Sequence, residues 1–166
     1  MPATLLPRFA DSGQPAALFD ALEARLQEVV GFKLFTLLFV DGSEVARIHS
    51  SDPEAYPVSG RKPMSRTPWG DHVLHARKPW LGRTMKDIEW AFFDHELIAS
   101  LGCGCCINLP VIYDGQVIGT MNLLDAEHRY DDTHLEAARP FAPLAVPAFL
   151  AARQGAGAAP LATPED

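Results

Sequence analysis

Apolar residues recur at helical and strand spacing along most of the chain, and this pattern predicts helices alternating with antiparallel strands. Residues 33–40 are rich in β-branched and aromatic side chains, and the turn residues Asp41-Gly42 separate them from a second strand over 43–49. These two strands should pair as neighbours. Between Pro15 and Gly31, apolar positions repeat with a helical period and predict a first helix. They are Leu18, Phe19, Leu22, Leu26, Val29 and Val30.

The firmest prediction is a long β-hairpin whose strands are residues 107–113 and 116–124. Asp114-Gly115 separates the two apolar runs. Both residue types tolerate positive φ, which a two-residue type I′ turn requires at its two central positions. The pattern therefore places two further antiparallel strands next to each other late in the chain.

The segment between the two hairpins is predicted to contain a loop and two helices. Residues 50–64 carry three prolines and a glycine, which favour a loop. Thr67 before Pro68 predicts the start of a helix. Asp87 predicts the start of a second helix over 88–101, which Gly102 should end.

After the last hairpin, a helix from Asp131 or Asp132 to Phe149 is expected, which three prolines should bend or interrupt. The order of elements predicts an α+β fold, with a central, mainly antiparallel sheet of about five or six strands and helices packed against it. We expect an N-terminal arm over 1–14, one domain over 15–152 and a disordered tail over 153–166, where apolar periodicity ends.

Composition narrows the classes of partner. The chain has 166 residues, with 14 basic and 21 acidic side chains and a net charge of −7. This charge disfavours nucleic acid and anionic membrane surfaces as partners. The sequence has neither an 18-residue apolar run nor a basic N-terminal signal, so it predicts a cytoplasmic protein without a membrane segment.

Three cysteines at the entrance to the last hairpin, Cys103, Cys105 and Cys106, are candidates for chemistry. In an extended strand, Cys103 and Cys105 would share one face, and Cys106 and Asn108 the other. Free cysteine is often simply buried, so packing or pocket lining, a reactive thiol and metal binding all remain open. The spacing does not demand a metal. If a thiol is catalytic, His95 is the nearest imidazole in the sequence.

A second candidate site is the segment that contains Trp90, Phe93, Asp94 and His95. Bulky aromatics beside an acid and an imidazole can form a pocket with an apolar body and a few directional polar contacts. They can equally pack against the sheet and leave the polar groups in solvent. Earlier in the chain, Tyr56 and Trp69 are candidates for the pocket wall.

Three stretches, residues 98–102, 107–111 and 115–124, resemble a GAF domain, and the resemblance extends over 15–152. It implies a ligand pocket between the central sheet and the helices and loops of residues 56–106. It also implies a sensory role. The sequence shows no fused output domain, so we expect a stand-alone single-domain protein of bacterial type.

The resemblance leaves two functions open. The first is a small-molecule-binding sensory domain that forms a homodimer through its terminal helices, with no cofactor identified. Its predicted ligand-binding residues are Tyr56, Trp69, Trp90, Phe93, Asp94, His95 and Cys105. The alternative is a thiol-dependent enzyme or redox switch that uses Cys103, Cys105 or Cys106 with His95, distantly similar to free methionine (R)-sulfoxide reductase. The two cysteine positions of that enzyme correspond to residues near Trp69 and Ala99, and neither is cysteine here.

Overall fold

Within residues 2–58, 60–64 and 66–163, which the computed structural model describes, six strands form one antiparallel sheet in the order β3-β2-β1-β6-β5-β4. The predicted α+β class is confirmed. The strands are β1 (Leu34–Asp41), β2 (Glu44–Ser50), β3 (Arg61–Pro63), β4 (Trp80–Gly82), β5 (Cys105–Tyr113) and β6 (Gln116–Asp125).

Along the chain, helices lie before the first strand, between β3 and β5, and after β6. A 3₁₀ helix over Pro2–Ala10 begins the chain, and a π-helical turn over Asp71–His75 continues α2. The α-helices are α1 (Ala16–Val29), α2 (Pro68–Gly70), α3 (Met85–Ala91), α4 (His95–Ser100), α5 (Asp132–Ala138), α6 (Phe141–Leu144) and α7 (Val146–Ala156). No helix of the described part of the chain is both long and apolar enough to cross a lipid bilayer.

Both predicted hairpins form. Asp114 and Gly115 have φ values of 51° and 70°, as the type I′ turn between β5 and β6 requires. The first hairpin differs by one residue from the prediction. Asp41 is the last residue of β1 and pairs with Glu44, so the turn is formed by the two residues after Asp41.

Alternating side chains give the sheet two different faces. One face packs under α1 and the C-terminal helices, where Leu37, Ile107 and Met121 meet Leu22 and Phe149 in the main core. The other face lies toward the middle segment, residues 51–104. Because this second face has no long helix against it, the loops and short helices of the middle segment cover it.

The predicted helix over 88–101 is wrong, because it is broken into α3 and α4. Thr84, rather than Asp87, caps α3, and Asp87 completes a capping box with it. At the break, Phe92 is extended, with φ −131° and ψ 132°. Its ring packs beside Trp69 and Trp80, with centroid distances of 5.5 and 6.1 Å. This packing favours a bend over a continuous helix.

The last helix extends beyond its predicted end at Phe149 and continues to Ala156. The following segment lies against the turn between β1 and β2. Ala159 donates its N–H to the Asp41 carboxylate (2.8 Å) and accepts from the N–H of Gly42 (3.0 Å). Part of the segment predicted as a disordered tail thus contacts the sheet, and residues 164–166 of that segment lie outside the described residues.

Candidate functional site

A cavity of about 190 Å³ lies between the second face of the sheet and the middle segment. This volume is smaller than the roughly 300–1,000 Å³ of typical small-molecule pockets, so it suits a small metabolite. β1, β2 and β6 contribute side chains at every second position, as strand geometry requires. The lining side chains from the sheet are Leu34, Thr36, Leu38, Val45, Arg47, Lys62, Pro63, Asn108, Thr120, Asn122 and Leu124.

The middle segment forms the opposite wall. Trp69 follows the cap residue Thr67, whose hydroxyl accepts from the N–H of Gly70 at 3.0 Å, so the predicted helix start is confirmed. Phe92 and Phe93 enter the wall at the break between α3 and α4. The lining residues from this segment are Tyr56, Met64, Thr67, Trp69, Gly70, Leu74, Ala91, Phe92, Phe93, Asp94 and Ile98.

Two buried amides form the polar part of the floor. Asn108 donates from Nδ2 to Asn122 Oδ1 at 2.6 Å, and its own Oδ1 accepts from Trp69 Nε1 at 3.1 Å. Asn122 donates from Nδ2 to the hydroxyls of Thr36 and Thr120, at 3.3 and 3.2 Å. The network joins three strands to the wall through Trp69, and its buried groups satisfy one another.

Charged groups gather on one side of the cavity. The Arg47 guanidinium lies 4.7 Å from the centroid of the Tyr56 ring, and the Tyr56 hydroxyl donates to Asp94 at 2.9 Å. The Lys62 ammonium lies 5.4 Å from the centroid of Phe93. Burial lowers the pKa of both Arg47 and Lys62, and burial together with the Asp94 charge raises the pKa of Tyr56.

Four of the predicted ligand-binding residues line the cavity: Tyr56, Trp69, Phe93 and Asp94. Three do not. Trp90 is 51% exposed and stacks on Trp80 outside the cavity, with ring centroids 5.7 Å apart. His95 begins α4 and does not line the cavity, although Asp94 and Ile98 on either side of it do, and Cys105 lies on the opposite face of the sheet. Because the helix breaks after Ala91, Trp90 and Phe93 do not lie on one helical face, and only Phe93 lines the cavity.

The cysteines are buried and free. The predicted pairing of Cys103 with Cys105 on one face is wrong, because β5 begins only at Cys105 and Cys103 precedes the strand alternation. Cys103 instead packs with Cys106 beside Tyr56 and Ile98, next to the cavity but not lining it.

The environment of the thiols does not favour reactivity. Burial raises the pKa of Cys103 to about 11 and also raises the pKa of Cys105 and Cys106. Cys106 donates from Sγ to Asn108 Oδ1 at 3.3 Å. No hydrogen bond joins a thiol to His95 among the described residues. Since the thiolate is the nucleophile, these features weigh against the thiol-enzyme hypothesis.

Sequence reasoning missed the two cations of the site. Arg47 lies on the same face of β2 as Val45, which also lines the cavity, so strand alternation was a usable signal. Lys62 lies on β3, a three-residue edge strand inside the segment predicted to be a loop. A strand this short has no recognisable periodicity, so nothing in the local sequence indicated the direction of Lys62.

One group among the described residues has the spacing of a metal site. The ligand atoms of Asp20, Glu23 and His49 all lie within 4.8 Å of one another. His49 Nε2 lies 3.1 Å from Glu23, and the imidazole packs against Phe19 and Phe35 on the core side of the sheet. These contacts are sufficient to explain the position of His49 as packing, remote from the cavity.

Comparisons with known proteins agree with this architecture. A family model for the GAF domain matches residues 14–149. The GAF domain of a phosphoenolpyruvate-protein phosphotransferase from Coxiella burnetii is similar with a TM-score of 0.72 at 15% identity, over 94% of each chain. The GAF domain of a two-component sensor histidine kinase from Bacillus halodurans has a TM-score of 0.70 at 14% identity, over 86% of this chain and 98% of that one.

A third similar structure is a GAF domain/HD domain protein from Geobacter sulfurreducens, with a TM-score of 0.67 at 14% identity over 88% of this chain and 97% of that one. No curated protein matches the sequence. At these identities the structures establish the fold. Because the family model covers most of the sequence and the antiparallel sheet with its helices is the fold of these structures, the chain belongs to the GAF domain family.

Proposed function

We propose that this protein is a sensory domain that binds a small molecule in the cavity between the sheet and the middle segment. The observation that carries the proposal is the lining of this cavity, which combines an apolar body with a few polar groups on one side. Small-molecule sites typically have this composition. Membership of the GAF family, whose domains serve as small-molecule-binding sensors, supports it.

Within this proposal, Tyr56, Trp69, Phe93 and Asp94 contact the ligand. Trp69 and Phe93 offer aromatic surface, and Phe93 is 80% exposed, which places it at the mouth of the cavity. Asp94 holds the Tyr56 hydroxyl and so fixes the ring that covers Arg47. Trp90, His95 and Cys105 are outside the proposed contact set because they do not line the cavity.

Binding can be tested by a thermal-shift screen of small metabolites. A ligand that binds only the native state must raise the melting temperature. Leu38→Trp should fill the floor and abolish the shift, whereas Tyr113→Trp, at an exposed position of the last hairpin, should preserve it. Circular dichroism checks that both variants fold. A broad screen without any shift would contradict the proposal, and so would a ligand that binds Leu38→Trp as well as it binds the wild type.

We further propose that the domain forms a homodimer through its terminal helices and acts in the cytoplasm through a separate partner. Exposed apolar side chains at the N-terminal helices support the interface: Leu6 and Phe9 on the 3₁₀ helix, and Val29 at the end of α1. Light scattering of the wild type should give the mass of a dimer. Phe9→Glu should reduce it to that of a monomer, and Val58→Glu, at an exposed site far along the chain, should leave it unchanged. A monomeric wild type would refute the interface.

A further inference from the structure

The charged side chains that line the cavity do not balance one another. Arg47 and Lys62 contribute two positive charges and Asp94 one negative charge. Among the described residues, neither Arg47 nor Lys62 forms an ion pair within 4 Å. Arg61, the neighbour of Lys62 on β3, differs because it pairs with Asp41 at 2.8 Å and Glu44 at 3.2 Å. The chain therefore neutralises the cation beside the cavity and leaves the cations inside it without a contacting carboxylate.

The Arg47 guanidinium also has a hydrogen-bond donor that is not used within the protein. Arg47 donates from Nη1 to the Pro57 carbonyl at 3.1 Å, but its Nε–H is buried and has no acceptor. Lys62 has the Phe93 ring as its neighbour. Burial lowers the pKa of Lys62; the Asp94 charge partly opposes this shift, and the Arg47 charge adds to it. Partly buried cations without a paired anion are costly, and a ligand anion placed between them would relieve this cost.

The rest of the cavity demands an apolar ligand. The amides of the floor are already paired, since Asn108 and Asn122 bond to each other and to Trp69 and two threonines. The part of a ligand that lies over these amides therefore does not need a polar atom to complete their hydrogen bonds. Leu34, Leu38, Leu74, Ile98, Leu124 and the aromatic wall surround this space. At about 190 Å³, it accommodates a compact branched or aromatic group rather than a nucleotide.

Asp94 limits the charge of the ligand. Its carboxylate lies on the same side as the two cations and holds the Tyr56 hydroxyl, so one net positive charge faces the ligand. A second anionic group on the ligand would meet this carboxylate or the apolar wall, and both are unfavourable. We propose that the cavity selects a small monocarboxylate with a branched or aromatic apolar body, held through its carboxylate by Arg47 and Lys62. This inference rests on the proposed function of the cavity as a ligand site.

The direct test compares matched ligands by calorimetry with the full chain. Benzoate, phenylacetate and 4-methylpentanoate represent the proposed class, their amides remove the charge at nearly constant shape, and succinate adds a second charge. At least one monocarboxylate should bind about tenfold or more tightly than its amide. The free-energy difference between a charged and a neutral hydrogen bond corresponds to about this factor in Kd. Succinate should bind more weakly than the monocarboxylates.

Variants identify the anchoring groups. Lys62→Met keeps the apolar stem and removes the charge, so it should reduce the preference for carboxylate over amide by about tenfold. Arg61→Met is the matched control, because Arg61 lies on the same strand but pairs outside the cavity, and it should retain the preference. Arg47→Met should act as Lys62→Met does, with its fold verified by circular dichroism.

The outcomes separate this inference from the proposed function. If amides or other neutral compounds bind as tightly as carboxylates and Leu38→Trp abolishes their binding, the cavity is a ligand site but the inferred ligand class is wrong. Carboxylate binding that survives both Lys62→Met and Arg47→Met would also overturn the inference. If no compound of any charge binds, both proposals fail.

Discussion

The amide pair in the floor of the cavity provides a quantitative test of what holds this face of the sheet together. Asn108 and Asn122 are 1% and 4% exposed, and their side chains share a hydrogen bond of 2.6 Å between β5 and β6. Replacing either amide with leucine keeps a similar volume and leaves the other amide without this partner. A buried polar group that loses its partner costs about 1–3 kcal/mol.

The free energy of unfolding should therefore fall by about 1–3 kcal/mol in Asn122→Leu. It should fall by at least as much in Asn108→Leu, because Trp69 Nε1 and the Cys106 thiol lose their acceptor as well. The double variant removes both members of the shared bond, so neither amide remains unpaired. Its loss should be smaller than the sum of the two single losses by about 1–3 kcal/mol.

Urea unfolding followed by tryptophan fluorescence and circular dichroism measures these differences by linear extrapolation. As a control, Tyr113→Leu combined with Asn122→Leu should be additive, because Tyr113 is exposed at the hairpin end. Additivity of Asn108→Leu and Asn122→Leu within about 0.5 kcal/mol would refute the coupled network. The amides would then be independent polar groups.

Four further predictions follow from packing and burial. Iodoacetamide near neutral pH should label none of the three thiols of the native protein rapidly, as intact-mass spectrometry can show, because they are buried and the pKa of Cys103 is raised to about 11. Stability measured by urea unfolding should decrease as the pH rises from about 8.5 toward 11, since the unfolded thiol loses its proton before the folded one does. Arg153→Ala should lower the free energy of unfolding by about 1–2 kcal/mol and increase amide hydrogen exchange at Ala159, because the guanidinium donates to the carbonyls of Val40 (2.7 Å) and Ala159 (3.1 Å). Gly119→Ala should lower the melting temperature, with a cost of about 1–3 kcal/mol, because the new methyl group would overlap the Phe149 ring.

Each of these predictions has a control or an outcome that would contradict it. Labelling should be complete in urea, and a native thiol that reacts as fast as it does in the unfolded chain would contradict the first. Unchanged stability up to pH 10.5 would argue against the second. Arg139→Ala, at an exposed ion pair with Glu136, should leave the tail and the stability unaffected. Gly155→Ala, where a Cβ meets no atom within 4 Å, should not destabilise the protein as Gly119→Ala does.

Local sequence was sufficient for the main elements of the sheet. The positive φ that Asp114 and Gly115 adopt is a property of those residue types, so the last hairpin could be identified without any distant contact. The prolines after residue 139 are expected to bend or interrupt the helical ladder by their own chemistry, and the structure divides this region into α5, α6 and α7. Alternation along β5 likewise placed Cys106 and Asn108 on one face.

The cavity itself was decided by tertiary structure. Lys62 and Arg47 come together because β3 pairs with β2, and Asp94 reaches them because the chain bends at Phe92 where its ring packs between two tryptophans. These positions depend on pairing register and on contacts between residues tens of positions apart, which periodicity within one segment does not encode. The sequence alone therefore determined the two hairpins and the alternation of their strands, and only the packing of distant segments determined which side chains share the ligand cavity.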